Sequence, residues 1–333
     1  MSGFRRFLVR RLLTFIPTII GVTLLVFIIA YAIPADPAKA WIGGGEKVKP
    51  EYVEKIRQMY HMNEPWYDQY VFLIHGLITN TLIDPRTSNL VMTEVLKRFP
   101  ITFQLALFAF FFAVIIGLPL GILAALKKDT WIDTFVRFFA LTGVSLPVFW
   151  LAYLLIYVFY VKVRIINLAG LPPSPPKITG VPVIDAILTG NFDLFVQHVH
   201  RFWLPGFVLG FMSAGVIARF TRNSFLEALS SDFVEYLKAK GVPKRTVYRH
   251  ALKNALVPVI TVMGLQFGGL LGGAPITETV FSIPGMGYYA INSIRNLDFP
   301  AVIAVTFMFA ITYVTINLIV DILYALIDPR VRY

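Results

Sequence analysis

The sequence predicts an all-α integral membrane protein with about six transmembrane helices, and three observations predict it. Hydrophobic residues make up 57% of the 333 and charged residues 15%, with a mean hydropathy of +0.69, too apolar for a soluble domain of this length. Apolar runs recur along the chain, each long enough at about 20 residues to cross a hydrocarbon core of about 30 Å. Lys and Arg collect in alternate connections between those runs, so the formal charge of +11 reads as membrane topology and not as nucleic-acid binding.

Arg5, Arg6, Arg10 and Arg11 precede the first run, 12–33. It exceeds the roughly 7 to 15 apolar residues of a signal peptide, so residues 1–33 read as a cytoplasmic N-terminus and an uncleaved first span. Residues 34–98 hold no comparable run and balance eight Lys/Arg against eight Asp/Glu, which predicts an external loop region. Within it, 51–60 and 66–78 have the periodicity of amphipathic helices. Residues 99–333 form the remaining unit. Its spans are expected at 101–126, at 134–161 with Pro147 inside, at 202–220, at 257–274 and at 301–327, the last closed by Asp328-Pro329. A second external loop, 162–201, carries LPPSPPKITGVP, whose prolines favour extended backbone. Seventeen of the thirty Lys/Arg fall in the segments assigned to the inside, which places both termini in the cytoplasm, as six spans require.

The stretch 231–258, SDFVEYLKAKGVPKRTVYRHALKNALVP, is charged and lies between two apolar runs. Asp232 reads as a helix N-cap with Glu235 three residues on, and Gly241 with Pro243 supplies a stop. Between those signals fits a helix of about eight residues, roughly 12 Å long. Phe233, Tyr236 and Leu237 are expected on one face, with Glu235, Lys238 and Lys240 away from it. On these residues alone, a solvated connector and an apolar knob for a partner are equally good readings. Glu235, five residues to Gly241, and HALKNALVP ending at Pro258 together resemble the cytoplasmic EAA loop of ABC-importer permeases of the dipeptide/oligopeptide/nickel family. That resemblance implies a type I permease fold with a coupling loop, 224–256. Its short coupling helix would meet a separate ATPase subunit through Asp232, Phe233, Glu235, Tyr236, Leu237, Ala239, Lys240 and Gly241. Tyr236 and Leu237 stand where small residues are usual in the family.

Polar side chains inside spans are costly in lipid and therefore candidates for function. Gln104, Gln266, Asn317 and Asp321 qualify, with Thr102, Ser213 and Thr261 as milder cases. Gln266 and Asn317 either line a pathway or bond one helix to another. Asp321 reads as the partner of Arg330 or another basic residue. GGLLGGAP, 268–275, has small residues at four-residue spacing, which suits close helix packing, and Pro275 cannot continue a helical ladder. The following ITETVFSIPGMG is similar to the family's external Glu-x-Val-Phe and Pro-Gly-x-Gly signature. The resemblance makes Glu278, Phe281, Pro284 and Gly285 candidates for an outer gate. It is strongest over 203–332, where RFTRNSFLEAL and NLIVDILYALIDPR also match.

No phosphate-binding Gly-x-x-x-x-Gly-Lys-Ser/Thr occurs, and no nucleophile, base and orienting group can be assembled, so catalytic residues are expected to be none. The chain itself calls for no cofactor or metal. His198-x-His200, with Asp193 nearby, reads first as near-membrane surface, with a metal site as the lesser alternative. The resemblance implies half of a translocation pathway, working by alternating access with a second homologous permease, two ATPase subunits holding ATP and Mg, and an external substrate-binding protein, all at the cell membrane. The family's cargo includes di- and oligopeptides, nickel chelates and oligosaccharides. A self-contained secondary transporter or channel is the rival reading, against which stands the lack of an inverted repeat and of buried acid relays.

Overall fold

The computed structural model describes residues 2–32, 36–42 and 49–327, and the tail at 328–333 and the GGGEK stretch lie outside the described residues. Helices α1 (Ser2–Ala32), α5 (Val91–Leu126), α9 (Phe192–Leu229), α11 (Lys244–Leu271) and α14 (Phe299–Ile327) are each long and apolar enough to cross a membrane. The third expected span is broken. Helices α6 (Trp131–Ser145) and α7 (Val148–Ile156), the latter prolonged by a π-helical turn (Tyr157–Lys162), meet at 100°. Pro147 explains the break: it caps α7, and its ring disfavours helical backbone at Leu146, which is extended. Counted as one broken span, the pair completes six.

The short helices cover the ends: α2 (Pro37–Trp41), α3 (Pro50–Met59), α4 (Trp66–Ile78), α8 (Pro182–Leu188), α10 (Asp232–Ala239), α12 (Pro275–Val280) and α13 (Met286–Arg295). Helix α9 begins at Phe192, capped by the Asn191 side chain on the Leu194 N–H at 3.1 Å, so the last ten residues of the expected loop 162–201 are helix. The fourth span is thus far longer than its apolar core, because polar residues at both ends continue the same ladder. No strand occurs among the described residues.

Helices α5 and α9 form the central seam. A β-carbon on Gly210 would stand 2.3 Å from the Ala109 carbonyl oxygen, so the two backbones touch there and only glycine fits. Helix α6 is tied to α9 by Asp133, fully buried, whose carboxylate accepts from Arg222 Nε at 2.6 Å and Nη2 at 2.8 Å. Helix α11 packs on α9 and α14, and α1 flanks α14, where Arg11 Nε meets Asp321 at 3.1 Å. Asp321 thus pairs with another basic residue, Arg11, while Arg330 lies outside the described residues.

Helices α2–α4 make a cap over one end of the bundle. Phe27 and Tyr31 of α1 stack into it against Trp41 and Tyr60, whose ring centroids lie 5.2 Å apart edge to face. Thr23 and Tyr70 hydroxyls bond at 2.7 Å, and Arg57 pairs with Asp36 at 2.8 Å. The cap reaches the α13–α14 corner through Arg86, which donates to the Asn296 carbonyl, and through the buried carboxyls of Asp84 and Asp298. Burial, with Asp84 beside it, pushes the Asp298 carboxyl up to about 7.

Candidate functional site

Two places gather the sequence-predicted residues, one at each end of the bundle. At the capped end, α11 stops at Gly272, Gly273 turns with φ +94, and Pro275 starts α12 at a position where a missing N–H costs nothing. Glu278 of α12 is fully buried, and no cation among the described residues acts on it. Its carboxylate accepts from Thr102 Oγ1 of α5 at 2.8 Å and from the Tyr288 N–H at 2.8 Å, and Gly287 N–H also points to it. The Thr102 hydroxyl accepts in turn from the Met286 N–H at 2.8 Å.

This arrangement has a local cause. Helix α13 has no side-chain cap at Gly285, which leaves its first N–H groups without partners. Glu278 and Thr102 supply those partners from two other elements, with the negative end at a helix N-terminus. Burial pushes the Glu278 carboxyl up to about 7, and the donors from Tyr288, Thr102 and Gly287 partly offset it. Phe281 is buried, Pro284 is exposed, and Gly285 lies directly on the Glu278 carboxyl group.

Arg201 of α9 holds the same segment from the other side. Its guanidinium donates to the Phe281 carbonyl at 2.7 Å and the Ser282 carbonyl at 3.2 Å, and also to Gly170 at 2.8 Å and Leu168 at 3.2 Å. A buried cation here is satisfied by backbone alone. His198, one turn away, is buried and not at the surface, a correction to the sequence reading. Its Nε2 lies 3.2 Å from the Pro173 carbonyl and its Nδ1 3.3 Å from Gln104, while His200 Nε2 lies 2.6 Å from the Ile165 carbonyl. The proline-rich stretch is therefore pinned onto α9 through these rings.

Gln266 and Asn317 do not join the Glu278 cluster. Gln266 Oε1 accepts from Ser213 Oγ at 3.1 Å across the α9–α11 seam. Asn317 faces Gly268 across the α11–α14 seam, and its Oδ1 is buried without a partner.

At the opposite end lies α10. Its N-cap is Ser231 with extended backbone, not Asp232, which is the first helical residue; neither makes a side-chain capping bond. Ser231 Oγ instead donates back to the Ala228 carbonyl at 2.5 Å. The face is also rotated from the expected one. Val234 is fully buried, with Phe233 and Leu237 half-buried against Ala125, Phe225, Val247 and Ala251. Tyr236 is 57% exposed and lies on the outer face with Asp232, Glu235, Ala239 and Lys240, the Lys240 ammonium 4.5 Å from its ring centre. Positions 234 and 236 flank the Phe233–Leu237 ridge on opposite sides, and the neighbouring spans cover the Val234 side. The stop is as expected: Gly241 has φ +72, its N–H donates to the Lys238 carbonyl at 3.0 Å, and the Val242 N–H donates to Leu237 at 3.1 Å. That is the two-bond glycine stop in which Val242 also packs on Leu237.

Val234, Arg201 and the Asp133–Arg222 pair were not among the candidates drawn from sequence. Val234 could have been found by the 3.6-residue period; Arg201 carried no local signal because its partners lie 31 or more positions away, and Arg222, the main partner of Asp133, lies 89 away.

Comparison with known proteins gives a consistent result. Residues 117–333 match the family described as "Binding-protein-dependent transport system inner membrane component", and residues 4–106 match "Binding-prot-dependent transport system membrane comp, N-term". The chain is 41% identical over 329 residues to the dipeptide transport system permease protein DppB of Alkalihalophilus pseudofirmus, covering 97% of this chain and 98% of the relative. It is 40% identical to the di/tripeptide transport system permease protein DppB of Pseudomonas aeruginosa, covering 98% of each. It is 36% identical to the glutathione transport system permease protein GsiC of Escherichia coli, covering 98% of this chain and 99% of the relative.

Proposed function

The chain belongs to the family of binding-protein-dependent transport system inner membrane components, and from that premise we propose that it forms half of the translocation pathway of an ABC importer for short peptides. The relatives named above carry di-, tripeptide or glutathione names, which favours peptide cargo. The remaining parts are a second homologous permease, two ATPase subunits that hold ATP and Mg, and an external substrate-binding protein. Both termini and α10 lie on the cytoplasmic side, an orientation supported by the Lys/Arg distribution. In that orientation, residues 34–98 and the Glu278 segment face outward.

The observation that carries this reading is α10. An eight-residue helix with its apolar side seated on α5, α9 and α11, and with Glu235, Tyr236 and Lys240 left outward, is a docking knob rigidly attached to three spans. Closure of the ATPase pair on two such helices, one from each permease, would draw the inner ends of the spans together and open the pathway outward. The mechanism needs no catalytic side chain in this chain.

The test is ATP hydrolysis by the assembled importer in vesicles, stimulated by the peptide-loaded binding protein. Glu235→Lys reverses the charge on the outer face without touching the apolar seat, so the expected result is a complex that reaches the membrane but has lost its stimulation. Full stimulation in that variant would sink the coupling role. Binding of peptides, and not oligosaccharides, by the partner external protein checks the cargo.

A further inference from the structure

Between α6 and α9 lies a cavity of about 630 Å³ that neither the coupling helix nor the Glu278 segment uses. The two helices run antiparallel here, with Gly143 of α6 against the Phe211 carbonyl and Gly215 of α9 against Ala140. Arg137, Arg219 and Asn223 stand at one end of the cavity. Leu141 and Val144, one and two turns further along α6, and Val216, one turn along α9, line the rest. The site is cationic at one end and apolar along its length.

The arginine charge is only partly spent internally, since three arginines line the cavity and Asp133 pairs with two of them. Asp133 is the carboxylate in reach, and Arg222 occupies both its oxygens, leaving Arg137 a longer approach of 3.6 Å. Arg219 makes no side-chain hydrogen bond or ion pair among the described residues. The depth is also defined. Arg201 and Arg219 end an uncharged stretch of α9 that is about 27 Å long at 1.5 Å per residue. That is close to the hydrocarbon thickness of about 30 Å, so Arg219 lies at the boundary where lipid phosphates sit.

We propose that this cavity binds an anionic phospholipid, with its phosphate on Arg137 and Arg219 and an acyl chain along Leu141 and Val144. Guanidinium groups recognise phosphate by paired hydrogen bonds, and basic pockets between spans favour anionic over zwitterionic headgroups. Leu141 and Val144 are 66% and 58% exposed, an apolar surface that a chain of methylenes covers. The site holds for any cargo, since none of its residues belongs to α10 or to the Glu278 segment.

The test uses the full chain in its assembled importer, equilibrated with vesicles of phosphatidylglycerol and phosphatidylcholine, re-extracted and weighed by native mass spectrometry. Phosphatidylglycerol should remain bound, and the Arg137→Gln/Arg219→Gln variant should retain it about tenfold less while phosphatidylcholine is unchanged. Equal retention of phosphatidylglycerol by the variant overturns the proposal. Photoreactive benzoylphenylalanine in place of Leu141, with both arginines intact, gives a second readout in membranes. Adducts of phosphatidylglycerol mass support the site. Adducts with a second protein chain, or with phosphatidylcholine as often as phosphatidylglycerol, overturn it.

Discussion

Gly285 lies so close to Glu278 that a β-carbon on the glycine would stand 2.6 Å from the carboxyl carbon and both carboxyl oxygens. One methyl group is therefore enough to push the carboxylate off the Thr102 hydroxyl and the α13 N–H groups. Gly285→Ala should leave the chain in the membrane, lower its thermal stability in detergent by a shift corresponding to roughly 1 to 3 kcal/mol, and cut peptide uptake. Uptake and melting temperature equal to the parent would count against Glu278 as part of an outer gate.

The Glu278 carboxyl, normally near 4.5, is pushed up to about 7 by burial. A carboxyl with a raised folded value binds its proton on folding, so its contribution is fully present below 4.5 and is lost as pH rises through about 7. Thermal melts of the parent and Glu278→Gln between pH 4 and 8 should diverge, the parent losing stability over that interval and the variant losing less. Asp298 carries a slope of the same sign, so the comparison is made on the difference between the two proteins. Parallel curves would show that the carboxyl titrates normally.

Gly241 occupies left-handed backbone at φ +72, where a β-carbon meets no neighbour within 4 Å. Gly241→Ala therefore costs backbone strain alone, about 1 to 2 kcal/mol, and Gly241→Asn less. The expected outcome is reduced ATPase stimulation in the alanine variant, recovered in the asparagine one. Equal loss in both would point to a contact at this position and away from chain reversal.

Asp133→Asn leaves Arg222 without its buried counter-ion and should destabilise the protein by about 3 kcal/mol or more. Asp133→Leu combined with Arg222→Met removes both charges and should recover much of that loss. Detergent melting curves read both, and a double variant no better than Asp133→Asn would mean that the pair does more than neutralise itself.

The spans were legible because a helix in lipid must be apolar for its full crossing length. The break at Pro147 was less so, since a proline inside a span kinks it in many cases and reverses it by 100° in few. The Gly241 stop was readable from its own residue types, whereas the seat of α10 was misread at one of its three positions: Tyr236 satisfies a hydrophobicity pattern yet points outward, and Val234 was overlooked. The Glu278 cluster drew its importance from resemblance. What the residues could not give was the pairing of Glu278 with Thr102, 176 positions away, and the reason for the buried acid, which is the uncapped start of α13.

Helix α11 starts two residues after the Val242 turn that closes α10 and ends three residues before Ala274, where the Glu278 segment begins. Its 28 residues make one strut about 42 Å long at 1.5 Å per residue. Pro258 lies near the middle, and without an N–H it is the point of least bending stiffness. In the proposed coupling, the compliance of that one joint would set how much of a displacement at α10 is absorbed before it reaches Glu278. A residue that touches neither end thus tunes how faithfully one end follows the other.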